Sequence, residues 1–241
     1  MKHRRINKNP AYIHHKDSGF VDTIKETVFG VEDGMVSTLG ALTGIAAATK
    51  DPGMVLLAGF VVIAVESISM GVGSYVSSKS EKEVAERMLA EEKEEIETFP
   101  KEEQEELYDM YVRDGWPKTM AKNMAKTASK DKRLLLKEMA YRELGIIPEN
   151  GVHPVKNGLV MGISYIVGGT VPLLPYLVLE VHSAITCSVF VTLIGLFILG
   201  ASITTYTKRS WFRAGLEMLI LAGLATLVGY GVGQIMNSVV M

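Results

Sequence analysis

The sequence predicts an all-α, polytopic membrane protein with five transmembrane helices and a cytoplasmic helical domain inserted between the second and third. Three observations predict it. The 241 residues are 48% hydrophobic and only 22% charged, with a mean hydropathy of +0.20, which is too apolar for an ordinary soluble domain of this size. The charges are segregated: residues 79–114 hold fourteen acids against six bases, while long stretches elsewhere hold none, so the net charge of -2 is uninformative. Finally, five apolar windows have the roughly 20 helical residues needed to cross a hydrocarbon core of about 30 Å.

Taken in order, the chain opens with a basic segment, residues 1–27, that lacks the short apolar core and small-residue cleavage site of a signal peptide, so it is expected to stay in the cytoplasm. Spans one and two occupy 28–49 and 52–78, the first weakened by the adjacent Glu32 and Asp33, the second carrying Glu66. An insert at 79–155 differs sharply in character. The remaining unit, 156–241, contains spans at 157–179, 181–207 and 214–241, with Glu217 near the start of the last. Lysine and arginine set the direction: Lys2, Arg4, Arg5, Lys8 and Lys16 flank span one, and Lys208, Arg209 and Arg213 lie between spans four and five, while the opposite turns are nearly bare. The N-terminus is therefore expected inside and the C-terminus outside. Gly40/Gly44 and Gly158/Gly162 mark close helix packing, and Pro172 and Pro175 should end or break the third span. The single cysteine, Cys187, lies in an apolar run and reads as a small hydrophobe.

Within the insert, "SEKEVAERMLAEEKEEIET" is rich in helix formers without glycine or proline, and should continue span two into water. Phe99-Pro100 breaks it. Pro100 suits the first turn of a new helix, where Glu102 and Glu103 complement the dipole; "DGWP" closes that helix, and one or two more end at Gly145. Glu92/Glu95 and Glu103/Glu106 are i, i+3 pairs, each on one helix face. A fold back at Phe99-Pro100 would gather four carboxylates, which repel unless a cation sits among them; the bland alternative is a solvated acidic face. Met139 and Glu143, at i, i+4, add a thioether and a carboxylate, and sulfur among oxygens favours a first-row transition ion over magnesium or calcium.

Ionisable groups within a span are costly and usually face a cavity or polar pathway. Asp33 lies about 8 Å into span one and Met70 about 12 Å before the cytoplasmic end of span two, so the two can meet near one level, with Glu66 one turn deeper on the face of Met70. Adjacent helical residues diverge by about 100°, so Glu32 and Asp33 do not both face one path, and Glu32 is expected to reach headgroups. Glu217 is expected to snorkel or to pair with Arg213.

The pieces "VEDGMVSTLGALTGIAAAT", "SISMGVGSYVS", "GGTVPLLPY" and "RAGLEMLILAGLATLVGYGVG", in that order over nearly the whole chain, resemble the vacuolar iron transporter family. The resemblance implies a homodimer that exports Fe²⁺, and related ions such as Mn²⁺, Co²⁺ or Zn²⁺, from the cytoplasm in exchange for protons. It implies Asp33 and Met70 as residues of the transport path, which Glu66 continues, and Glu92, Glu95, Glu103, Glu106, Met139 and Glu143 as metal ligands. The divalent ion is then substrate and bound ion, with no prosthetic group and no nucleic-acid partner; the membrane is the vacuole's in a eukaryote and the cell membrane in a prokaryote. Many relatives have "GEY" where this sequence has "GSY", so Ser74 stands in place of an acid. The competing readings are a membrane-bound carboxylate ferroxidase and a metal sensor. The first is disfavoured because di-iron bundles commonly use Glu-x-x-His pairs, and no histidine occurs between His15 and His153.

Overall fold

The computed structural model describes residues 19–146 and 153–240. Most of the expected N-terminal cytoplasmic segment, residues 147–152 of the expected insert, and Met241 lie outside the described residues. Eight α-helices follow in order: α1 Gly19–Thr49, α2 Pro52–Thr98, α3 Pro100–Arg113, α4 Lys118–Ala128, α5 Lys132–Arg142, α6 Pro154–Leu173, α7 Val181–Thr207 and α8 Trp211–Val240, with a 3-10 turn at Leu174–Leu177 after α6.

Local chemistry sets most boundaries. Lys50 closes α1 in the left-handed region (φ 56°), and Asp51 then caps α2, its carboxylate accepting from the amides of Gly53 (2.8 Å) and Met54 (3.2 Å), with Pro52 at the first helical position. From there α2 runs unbroken for 47 residues until Pro100, which cannot donate to the helix ladder and starts α3 instead. Asp131 caps α5 by accepting from the Arg133 amide at 2.9 Å. Pro172 sits inside α6 one residue before its end, and its carbonyl accepts from Ser188 of α7 at 2.7 Å.

Among the described residues, four helices are long and apolar enough to cross a membrane: α2, α6 with its 3-10 turn, α7 and α8. The expected fifth, α1, is not among them, because Glu32 and Asp33 sit in its apolar half and it begins in polar sequence at Gly19, well before residue 28. Its place explains how such a helix is accommodated. It packs against α2, α6, α7 and α8, with Leu39, Leu42 and Ala46 sealed inside. A helix surrounded by protein does not need a hydrophobic circumference.

Glycine makes that packing tight. A β-carbon placed on Gly229 would lie 2.2 Å from the Gly40 carbonyl oxygen, one on Gly233 2.2 Å from that of Gly44, and one on Gly168 2.2 Å from that of Val31. The Gly40/Gly44 pair thus meets α8, and Gly158 and Gly162 meet Gly71 of α2. These contacts also give direction: positions 30, 34 and 38 of α1 climb alongside 161, 165 and 169 of α6, while α2 descends past α6 from Gly59 at Leu173 to Gly71 at Gly158.

The outer half of α2 joins α3, α4 and α5 in a separate unit. Its core is Ile96, Leu107, Met110, Tyr111, Ala121, Ala125, Ala128, Leu135 and Met139. Arg142 pins α5 to α3: its guanidinium stacks 4.4 Å from the Tyr111 ring centroid, donates to Glu138 at 3.1 Å, and pairs with Asp114. Tyr111 also donates to Glu138 at 2.9 Å.

Candidate functional site

Two groups of carboxylates stand out, one in the α2–α5 unit and one along the α1/α2/α6 seam. In the unit, Glu92 and Ile96 share a face of α2, Glu103 and Leu107 a face of α3, and Met139 lies one turn before Glu143 at the end of α5, so the helix contacts that build the core also bring the acids together. Glu92 (2% exposed) and Glu103 (5%) are buried, whereas Glu95, Glu106 and Glu143 are exposed. Glu92 lies within hydrogen-bonding reach of both Glu103 and Glu143, and Glu95 and Glu106 add their fields to Glu103 and Glu143. Met139 is wholly buried in the core beneath them.

Burial, then the negative charges of Glu143 and Glu103, pushes the Glu92 carboxyl up to about 8. Glu103 and Glu143 are also raised, mainly by burial. One oxygen each of Glu92 (Oε1) and Glu103 (Oε2) is buried without a hydrogen-bond partner. Among the described residues, no three Asp, Glu, His or Cys side chains form a ready-made metal polyhedron. Carboxylates close fully around one point only when protons or a cation offset their charge.

In the seam, Asp33 of α1 is half-buried and close enough to Glu66 of α2 to be repelled by it, and the Tyr165 phenol of α6 is near both. Ser37 donates to the Asp33 carbonyl and so accepts from Tyr165, each at 2.6 Å. Glu32 remains half-buried beside Asp33. Glu66 is exposed on α2, one turn from Met70. Met70 is half-buried and lines a cavity of about 630 Å³ together with Glu26, Ser74, Ser78, Asn157 and Met161.

The seam therefore joins Asp33 to Glu66 and places Met70 one turn away on α2. Glu26, Met161 and Tyr165 escaped the sequence reading. Glu26 fell outside a span taken to begin at residue 28, yet it lies seven positions before Asp33, which is two helical turns on the same face. Glu217 pairs with Arg209 at 2.9 Å, correcting the expected Arg213 partner: Lys208 turns left-handed (φ 56°) after α7 and lets Arg209 reach the first turns of α8.

Membrane-length helices packed around an acid-bearing inner helix, with a carboxylate-rich helical unit at one end, define a multi-pass membrane protein equipped to handle cations. Residues 24–234 match the VIT family. The chain is 28% identical over 227 residues to a vacuolar iron transporter 1 of Eucalyptus grandis (93% of this chain, 91% of the relative). It is also 31% identical over 229 residues to a vacuolar iron transporter of Toxoplasma gondii (91% and 76%), and 30% identical over 230 residues to one of Plasmodium falciparum (90% and 83%). The chain belongs to the VIT family. These relatives are named as transporters, and the protein accordingly stands with transporters and not with enzymes.

Proposed function

We propose that the protein moves divalent transition-metal ions, chiefly Fe²⁺ and also Mn²⁺, Co²⁺ or Zn²⁺, out of the cytoplasm in exchange for protons. The observation that carries this reading is five carboxylates of α2, α3 and the end of α5 within electrostatic reach of one another, at the outer part of the helix that also bears Met70 and Glu66. In this reading α1 is the fifth span and the α2–α5 unit is cytoplasmic. Lys208, Arg209 and Arg213 lie on that side of the membrane, and the N-terminal segment lies there too.

Capture uses Glu92, Glu95, Glu103, Glu106 and Glu143, with the Met139 thioether rising from the core as a soft ligand. A cation entering the cluster displaces the protons held by burial, which couples metal loading to proton release. Passage uses Met70, Glu66 and Asp33. A carboxylate on an apolar helix face is costly in lipid, so the exposed face around Glu66 is assigned to a second copy of the chain, making the transporter a homodimer with its path at the subunit seam. The relatives' names place them in the vacuole; a eukaryotic host implies that membrane here and a prokaryotic host the cell membrane.

The test is flux of Fe²⁺, Mn²⁺, Co²⁺ and Zn²⁺ into proteoliposomes of purified protein with an imposed pH difference. Metal-dependent proton counterflow, with Mg²⁺ and Ca²⁺ excluded, is expected. Binding without flux would make the protein a sensor, and oxygen consumption on Fe²⁺ addition would restore the ferroxidase reading.

A further inference from the structure

The cavity lined by Met70 also holds Glu26, Ser74 and Met161, which the transport reading leaves unused. Glu26 of α1 is buried (7% exposed), and its Oε2 accepts from the Ser74 hydroxyl of α2 at 2.8 Å. The carboxylate arrives from α1 and the serine of α2 orients it. One turn along α2 is Met70; one turn along α1 is Gly30, where a β-carbon would lie 3.2 Å from the Met161 sulfur. Glycine at 30 is thus what lets Met161 of α6 lie over α1 beside Glu26. Asn157 donates to Ser78 at 3.0 Å, tying α6 to α2 at the same end of the cavity, and Lys25 and Glu81 stand at its exposed rim.

We propose that Glu26, Met70 and Met161 form a further metal station on the path, with Ser74 positioning the Glu26 carboxylate. The inference rests on the transport reading for its purpose and on the cavity's residues for its chemistry. One carboxylate and two thioethers suit a borderline divalent ion such as Fe²⁺ or Co²⁺ and poorly suit Mg²⁺ or Ca²⁺, which prefer oxygen alone. Ser74 is a positioning residue: it holds one oxygen of Glu26, whose cavity Met70 and Met161 also line.

The experiment separates this station from both the acidic cluster and the transport reading. Full-length protein carrying Glu92→Gln and Glu103→Gln, which disable the cluster, is titrated with Co²⁺ alone in detergent. The parent is expected to retain a Co²⁺ site with a sulfur scatterer in its X-ray absorption spectrum. Adding Glu26→Gln should weaken that site by more than about tenfold, and Ser74→Ala by about tenfold, as loss of an outer-shell partner does. Met161→Leu should remove part of the sulfur signal, and Glu26→Asp should preserve binding, which excludes misfolding as the cause. Ser74→Glu added to Glu26→Gln should restore binding, because the acid then comes from α2. Unchanged Co²⁺ affinity in the Glu26→Gln protein, or no rescue by Ser74→Glu, overturns the station. These outcomes are read by binding, so they stand even if wild-type protein shows no flux; normal binding with no flux overturns the transport reading alone.

Discussion

The two acidic regions handle charge in opposite ways. In the α2–α5 unit, five carboxylates crowd one place, with Glu92 and Glu103 buried over a thioether and the other three in water. Along the α1/α2/α6 seam the acids are spread out: Glu26 beside Ser74, then the Met70 level, then Asp33 with Glu66 and Tyr165. Crowding makes a strong trap for a cation, because every ligand gained also relieves repulsion. Spacing makes weak stations that an ion can leave. A transporter needs both, and α2 supplies residues to each.

The comparison breaks most cleanly at Asp33. Asp33→Ala should reduce flux to that of protein-free liposomes while leaving equilibrium Co²⁺ binding at the cluster intact; full transport by this variant would remove the proposed path. Glu92→Ala should do the reverse, weakening capture by at least about tenfold, because Glu92 is the acid that Glu103 and Glu143 both approach. Joint loss of the exposed Glu95 and Glu106 should cost less, and calorimetry on the two variants would reverse this ranking if surface charge alone attracted the metal.

A pH dependence sharpens the contrast. The Glu92 carboxyl, raised to about 8 by burial and by Glu143 and Glu103, holds a proton in the folded protein that the unfolded chain releases above the ordinary carboxylate value of 4.5. Metal-free protein should therefore lose stability as pH rises from about 4.5 through about 8, with Glu103 and Glu143 acting in the same direction and Glu95 and Glu106 adding repulsion. Saturating Co²⁺ should cancel that loss, and its affinity should grow over the same interval. Thermal melts at pH 5 and pH 8, with and without Co²⁺, decide the point; a metal-free melting temperature that rises with pH would contradict it. The smallest effect is expected away from both regions, at Lys208, where a non-glycine residue holds φ 56°. Lys208→Gly should stabilise by up to about 1 kcal/mol in a denaturation series, without altering metal binding.

The fold was legible where the chain announces itself by composition. Residues 181–207 coincide with α7, Phe99-Pro100 breaks the helices where expected, and the acidic run does continue α2. The start of α1 was hidden because polar residues precede its apolar half, and that concealed Glu26. In the unit, the i, i+3 spacing singled out Glu92/Glu95 and Glu103/Glu106, which the fold brings within electrostatic reach of one another, since regular helices preserve faces. Tyr165 and Met161 could not be found that way: they sit in an apolar run, and only the glycine-mediated approach of α6 to α1 turns them toward the acids. Which carboxylates would be buried was also invisible, because burial depends on how α3 and α5 fold back on α2.

Finally, α2 passes from one acidic region to the other without a joint. Some 22 residues separate Met70 from Glu92, about 33 Å of continuous helix, and no proline intervenes. A rod of that kind would act as a crankshaft: a twist applied at its loaded outer end, if charge neutralisation there produces one, would reach the sulfur and carboxylate at its inner end. Occupancy on one side of the bilayer boundary can then set the posture of the corridor on the other, with no separate messenger between them.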